Sequence, residues 1–167
     1  MPTPHLVAAV SVALAIAFAP LLDAAASAAS HSDDLVLTIN SPAKEPLELN
    51  LAQLDEMTQR EIETSNEFVS GEVSFSGPLA RDIVEKVGGN VESTIILTAA
   101  NEYQISVPAD DFFKYDVVLA TRMDGALLSR RDKGPIWLMY PISDHPELQD
   151  SAVNSKLIWQ LVKLEVR

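Results

Sequence analysis

Residues 94–108 read Thr-Ile-Ile-Leu-Thr-Ala-Ala-Asn-Glu-Tyr-Gln-Ile-Ser-Val-Pro. Thr94 to Ala100 is an apolar, partly β-branched run of strand length, too short for a buried helix and rich in the residues that pack on a pleated surface. Tyr103, Ile105 and Val107 then alternate with polar residues, the period of a half-buried strand. Ala100-Asn101-Glu102 is the turn between them, and Pro108, which cannot donate to a ladder, ends the second strand. An antiparallel hairpin therefore sits in mid-chain.

Outward from it, strands and short helices are interspersed. Leu35, Leu37 and Ile39 alternate up to the turn Asn40-Ser41-Pro42, and Leu47 and Leu49 alternate again. Asn50 offers an N-cap with Gln53 at the capping-box position, and Leu51, Leu54 and Met57 share one helical face. A second helix is expected after Gly77, with Pro78 in its first turn, Leu79, Ile83 and Val87 along one face, and Gly88-Gly89 as its stop. Asp110 and Asp111 suit a helical first turn, where negative charge meets the dipole. Val117 to Met123, the turn Asp124-Gly125 and Ala126-Leu127-Leu128 read as a second hairpin. Ile136 to Tyr140 and Ile158 to Val166 read as two further strands. The pattern is α+β, a single compact mixed-sheet domain with short helices.

Composition narrows the function. The chain has 167 residues, 12 Lys+Arg against 24 Asp+Glu, a formal charge of −12 and no cysteine. Its length fits one domain with one core. The charge repels phosphate backbones and anionic lipid surfaces, so nucleic acid is an unsuitable partner. Without cysteine there is no disulfide, no thiolate catalysis and no sulfur ligand for a metal.

Residues 6–22 are almost wholly apolar, and the small residues Ala24-Ala25-Ala26-Ser27-Ala28-Ala29 follow. This is the pattern of a secretory signal over residues 1–29, cut after Ala26, Ala28 or Ala29. An uncleaved anchor is the alternative, but 17 residues broken by Pro20 are short for a span. The leader carries one formal charge, Asp23, so cleavage changes −12 to −11. A cysteine-free exported domain over residues 30–167 suits the periplasm, with no membrane insertion after processing.

The common hydrolase, nucleotide-binding and zinc-protease signatures are absent from the chain. Asp144-His145-Pro146-Glu147 has residues able to bind a divalent cation, but a solvated loop after Pro141 accounts for it. Residues 130–141 are denser than a core requires. Arg130-Arg131-Asp132-Lys133-Gly134-Pro135 places three cations in four residues, and Ile136-Trp137-Leu138-Met139-Tyr140-Pro141 follows. Two readings stand: a solvated turn before a core strand, or a cationic loop over a strand whose aromatics wall a pocket for a flat polar ligand.

The order of segments resembles the molybdopterin-binding domain of the sulfite oxidase superfamily over roughly residues 35–167. The carriers are Phe75-Ser76-Gly77-Pro78-Leu79, Ala100-Asn101-Glu102-Tyr103, Leu119-Ala120 through Asp124-Gly125, Gly134-Pro135, and Lys156 with Trp159. Sulfite-oxidase-type enzymes hold molybdenum by a cysteine in the loop before the F-x-G segment. Here that loop reads Ser65-Asn66-Glu67-Phe68-Val69-Ser70-Gly71. Where those enzymes have His-Gly-x-Pro-x-Arg, this chain has Asp132-Lys133-Gly134-Pro135-Ile136-Trp137, so Trp137 replaces the arginine that serves a phosphorylated cofactor. Asp132 to Pro141 and Trp159-Gln160-Leu161 are more similar to a subgroup of small stand-alone periplasmic proteins, the PruR type. That resemblance implies binding of a free reduced pterin and control of a membrane-bound cyclic-di-GMP enzyme.

A pterin is a flat bicycle that needs aromatic or apolar faces and hydrogen-bonding groups at its pyrimidine edge. Asp132 suits the edge; Phe68, Trp137, Tyr140 and Trp159 are wall candidates; Arg130, Arg131 and Lys133 could hold a polar tail. Asn66, Tyr103 and Gly134 complete the candidate ligand residues. Strand alternation places Trp137 and Tyr140 on opposite faces, so one of them at most lines a cleft inside the strand. The expectation is a non-catalytic periplasmic protein that binds an unphosphorylated reduced pterin and partners the periplasmic domain of an inner-membrane signalling protein. The alternatives are a molybdopterin-dependent oxidoreductase subunit with no cysteine ligand, and a scaffold that binds only protein.

Overall fold

The computed structural model describes residues 34–167; the expected leader and its cleavage sites lie outside them. Strand β1 (Leu35–Ser41) turns into antiparallel β2 (Lys44–Asn50) and α1 (Leu51–Asp55) follows directly. Asn50 caps α1 as expected. Its side chain accepts from the Gln53 amide, and the Gln53 side chain accepts from the Asn50 amide.

The next two strands were not legible as strands. β3 (Gln59–Thr64) and β4 (Val73–Pro78) pair antiparallel along their whole length. β3 is an edge strand whose charged residues face water while only Ile62 and Thr64 are buried, so its apolar alternation is thin. β4 corrects the reading of Pro78, which ends the strand instead of opening a helix. The helix, α2 (Ala80–Lys86), starts after Leu79, which has no side-chain cap to offer, and buries Ala80, Ile83 and Val84. It stops as expected. Gly88 takes φ +86°, its amide donates to Glu85 O, and the Gly89 amide donates to Val84 O, the paired bonds of a Schellman end.

β5 (Thr94–Ala99) and β6 (Gln104–Pro108) form the expected hairpin, with Glu102 at φ +67° in the turn. α3 (Asp110–Lys114) follows. The expected second hairpin is divided. β7 (Val118–Ala120) pairs with β10 (Trp137–Met139), and after Thr121 the short β8 (Arg122–Met123) pairs with β9 (Ala126–Leu127) around Asp124-Gly125. The break lets one segment serve two sheets. After a 3-10 turn (Pro146–Leu148) and α4 (Ser151–Asn154), the last strand, β11 (Leu161–Val166), begins three residues later than expected.

The described residues form three sheets: β2-β1-β11-β5-β6, in which β1 and β11 run parallel and the other neighbours antiparallel, then β10-β7, and β3-β4-β8-β9. All three contribute to one hydrophobic core that includes Leu37, Ile39, Phe75, Leu97, Phe112, Leu119, Trp137 and Leu164. The α+β class with few short helices is as read. None of the helices among the described residues is long and apolar enough to cross a membrane.

Candidate functional site

A cleft of about 290 Å³ opens where three connecting segments meet. The β5–β6 turn brings Ala99, Asn101 and Tyr103; the loop after β3 brings Phe68; the segment from α4 to β11 brings Asn154, Ser155, Leu157, Ile158 and Trp159. Tyr103 and Trp159 are the cleft's exposed aromatics, 50% and 38% accessible. Phe68 meets Trp159 edge to face, with ring centroids 5.1 Å apart.

Each segment is pinned locally. Asn66 Oδ1 accepts from the Phe68 amide at 2.8 Å, and Asn66 Nδ2 reaches Met139 Sδ at 3.5 Å, tying the loop to β10. Buried Thr64 accepts from the Ile142 and Ser143 amides just behind it. Asn101 Oδ1 accepts from the Tyr103 amide, an Asx turn that sets the tyrosine at the cleft rim. The third wall rests on Trp137, whose Nε1 donates to Leu157 O at 3.1 Å. The Trp137 ring lies 6.5 Å from both Phe68 and Trp159 and 5.4 Å from Phe75.

Behind the same wall lies a polar node. Lys156, flanked by the lining residues Ser155 and Leu157, donates from Nζ to Asp111 Oδ2 at 2.6 Å, and the Tyr140 hydroxyl donates to the same oxygen at 3.0 Å. Burial first, and then the Asp111 carboxylate, push the Tyr140 hydroxyl well above the usual tyrosine range. Asp111 is thus more than a helix-dipole partner. Neutral Tyr140 is the form that the folded state holds, so this contribution is complete below about pH 10 and is lost as the pH rises beyond the unfolded value. Tyr140→Phe is expected to flatten the alkaline fall of the melting temperature while costing about 1 kcal/mol at neutral pH. Thermal melts from neutral to strongly alkaline pH check this; an alkaline limb identical to the parent's would refute it.

The structure divides the residues expected to form one site. Phe68, Tyr103 and Trp159 line the cleft, and Asn66 supports Phe68. Trp137 and Tyr140 are corrected from walls to interior: both are fully buried, because β10 is covered on both faces. Arg130 and Gly134 line a separate hollow of about 240 Å³ with Leu35, Pro135 and Gln160. Arg130 pairs with Asp34 at 3.6 Å, and Lys133 Nζ sits 5.1 Å over the Trp137 ring. Arg131 and Asp132 are exposed on the turn, and Asp132 does not line the aromatic cleft. The lining residues Asn154, Ser155, Leu157 and Ile158 were missed, and only their closeness to Trp159 in the chain could have pointed to them. Among the described residues, no group of three or more His, Cys, Asp or Glu is placed so that it could hold a metal ion, the surroundings of His145 included.

Residues 24–143 match the oxidoreductase molybdopterin binding domain. The chain belongs to that family. Among solved structures it is similar to the sulfane dehydrogenase SoxCD from Paracoccus pantotrophus, with a TM-score of 0.60 and 14% sequence identity. The match covers 81% of this chain and 38% of that one, so the protein spans well under half of its structural relative and shares its fold. No curated protein matches the chain.

Family membership implies a pterin-type cofactor. In its metal-loaded, phosphorylated form, that group does not fit the cleft. The chain has no cysteine to bind the metal, and the lining has no charged side chain to meet a phosphate. The lining is neutral throughout: three aromatic side chains, apolar Ala99, Leu157 and Ile158, and the polar side chains of Asn101, Asn154 and Ser155.

Proposed function

We propose that this molybdopterin-binding-type domain is a non-catalytic, periplasmic protein that binds a free, unphosphorylated reduced pterin and signals through an inner-membrane partner, as in the PruR type. The observation that carries the reading is the neutral aromatic cleft. A pterin can stack on Trp159 or Tyr103 while the amides of Asn101 and Asn154 meet its pyrimidine edge, since a carboxamide offers both a donor and an acceptor. Tight binding needs no cation if the ligand has no phosphate. The exported leader of residues 1–29 would bring the domain to the periplasm, and the cationic loop Arg130 to Lys133 is the surface that a partner's sensor domain would meet. A signal arises only if loaded and empty forms bind that partner differently.

The test is calorimetric titration of the purified protein with tetrahydropterin and with its phosphorylated counterpart, beside elemental analysis for molybdenum and a dye-reduction assay. Stoichiometric binding that prefers the unphosphorylated ligand, without molybdenum, supports the reading. Stoichiometric molybdenum or sustained dye reduction would instead favour the oxidoreductase. Pull-down of periplasmic sensor domains with and without tetrahydropterin tests the signalling role, and equal recovery in both states sinks it.

The position of Asp132 yields a separate expectation. Its side chain is 62% exposed, its nearest charged partner is Lys133 at 3.6 Å, and it is not among the residues that line the aromatic cleft, which supports a place outside the pterin contact. Asp132→Ala should change tetrahydropterin affinity less than about twofold, as for a solvent-exposed charge outside the contact. A tenfold loss in the same titration would return Asp132 to the site.

A further inference from the structure

One residue joins the aromatic cleft to the cationic loop. Gln160 follows Trp159 and stands at φ +50°, in the left-handed region that glutamine seldom occupies. Its side-chain Nε2 donates to Arg130 O and to Asp132 O, each at 3.0 Å, and its backbone amide donates to Lys133 O at 2.9 Å. Its own carbonyl accepts from the Ala100 amide at 2.9 Å, at the root of the turn that carries Asn101 and Tyr103. Three carbonyls of the cationic loop and one amide of the cleft turn thus converge on a single residue.

The rest of the loop is held mostly by itself. The Arg131 amide donates to Ser129 Oγ, and the amides of Asp132 and Gly134 donate to Ser129 O. These bonds close the turn without orienting it on the domain. Among the described residues, its charged side chains link to the body through the Lys133 ammonium over Trp137, which packs against Trp159, and the weak Arg130 to Asp34 pair. The positive φ is maintained because the bonds on both sides of residue 160 over-determine it.

We propose that Gln160 is a positioning residue that couples the aromatic cleft to the Arg130–Lys133 loop, so that a ligand seated against Trp159 fixes the orientation of the cationic surface. This rests on the reading of the cleft as the ligand site. A ligand that restrains Trp159 and the 100–103 turn restrains the two backbone neighbours of Gln160, and its side chain passes that restraint to the Arg130 and Asp132 carbonyls. The loop's charges are then presented in one arrangement when the cleft is filled and in a broader set when it is empty.

Gln160→Gly is the first variant. Glycine accepts φ +50° without steric cost and can keep both backbone bonds while the two side-chain donations are lost; the backbone freedom it adds is controlled by the second variant. Gln160→Asn is the second variant: asparagine also tolerates the left-handed region, but is one methylene too short to bridge both carbonyls. Hydrogen exchange is followed on the full protein with and without tetrahydropterin. Without ligand, Gln160→Gly should speed exchange at Arg131, Asp132 and Gly134 by about tenfold and leave core strands unchanged. With tetrahydropterin, the parent should gain protection at both the cleft turn and the loop, and the variants only at the turn. Unchanged loop exchange in ligand-free Gln160→Gly, or loop protection by tetrahydropterin that persists in both variants, overturns the coupling. If the parent binds no tetrahydropterin, the pterin reading fails instead, and the ligand-free comparison still decides whether Gln160 holds the loop.

Discussion

Gly77→Ala is expected to cost about 3 kcal/mol or more of folding stability, a large share of the roughly 5–15 kcal/mol that holds a domain folded. Gly77 is buried in β4 where that strand crosses β7 backbone to backbone. A methyl group there would stand 2.0 Å from Leu119 O and 2.7 Å from Leu119 C. Neither atom belongs to a side chain that could rotate away, so β7 itself would have to move. The neighbouring bonds resist that: Thr121 donates to Ser76 O, and Ala80 donates to Val117 O, on either side of the contact. Movement of β7 would also reach Trp137, which pairs with Ala120, and through it the wall of the cleft. Gly125→Ala is the control. Gly125 takes φ +77° but has no atom within 4 Å of an added methyl. Its loss should be confined to the left-handed backbone term, about 1 kcal/mol. Chemical denaturation of both variants measures the difference, and equal costs would mean that the β4 to β7 crossing can relax.

The same pair of glycines shows what the sequence discloses. Asp124-Gly125 announces its turn because a tight hairpin requires positive φ at both central residues, and local chemistry alone meets that demand. The Asn50 and Gln53 capping box and the Gly88-Gly89 stop were legible for the same reason: every partner lies within a few residues. Gly77 gives no such signal, since the atom that forbids a side chain there is Leu119 O, some forty residues away. β3 was hidden because its partner supplies most of its reason to be a strand. In Gln59–Thr64 only Ile62 and Thr64 are buried, and the charged Arg60, Glu61 and Glu63 around them give no strand signal.

The candidate cleft was legible in its aromatic residues and not in its arrangement. Phe68, Tyr103 and Trp159 do meet, although they come from three separate segments. Trp137 and Tyr140 drew attention as aromatics beside cations, yet the unbroken apolar run Ile136 to Tyr140 is the mark of a strand covered on both faces. Alternation separates residues across a strand; it does not say that either face meets water. Asp132 suits a pyrimidine edge by its chemistry as a carboxylate, but chemistry does not give its place: the turn leaves that carboxylate exposed and gives the residue's carbonyl to Gln160.

Trp159→Ala is expected to weaken tetrahydropterin binding by 1–3 kcal/mol, about five- to 150-fold, the usual worth of an aromatic platform beneath a flat heterocycle. The cost to stability should be far smaller, because Trp159 is 38% exposed and precedes β11 in a segment otherwise held by the Trp137 to Leu157 bond and the Lys156 to Asp111 pair. Trp137→Phe separates the platform from its support. It keeps an aromatic ring but leaves the buried Leu157 carbonyl without its donor, so it should lose 1–3 kcal/mol of stability and loosen the wall on which Trp159 stands. The chain's two tryptophans make the assignment optical as well as thermodynamic. In the parent, a pterin stacked on Trp159 should quench the exposed indole. In Trp159→Ala the remaining indole, Trp137, is fully buried, so tetrahydropterin should leave its emission nearly unchanged even at saturation. Undiminished affinity in Trp159→Ala would move the ligand to another surface, whereas lost affinity with quenching intact would show that the contact is made elsewhere and that Trp159 only shapes the wall.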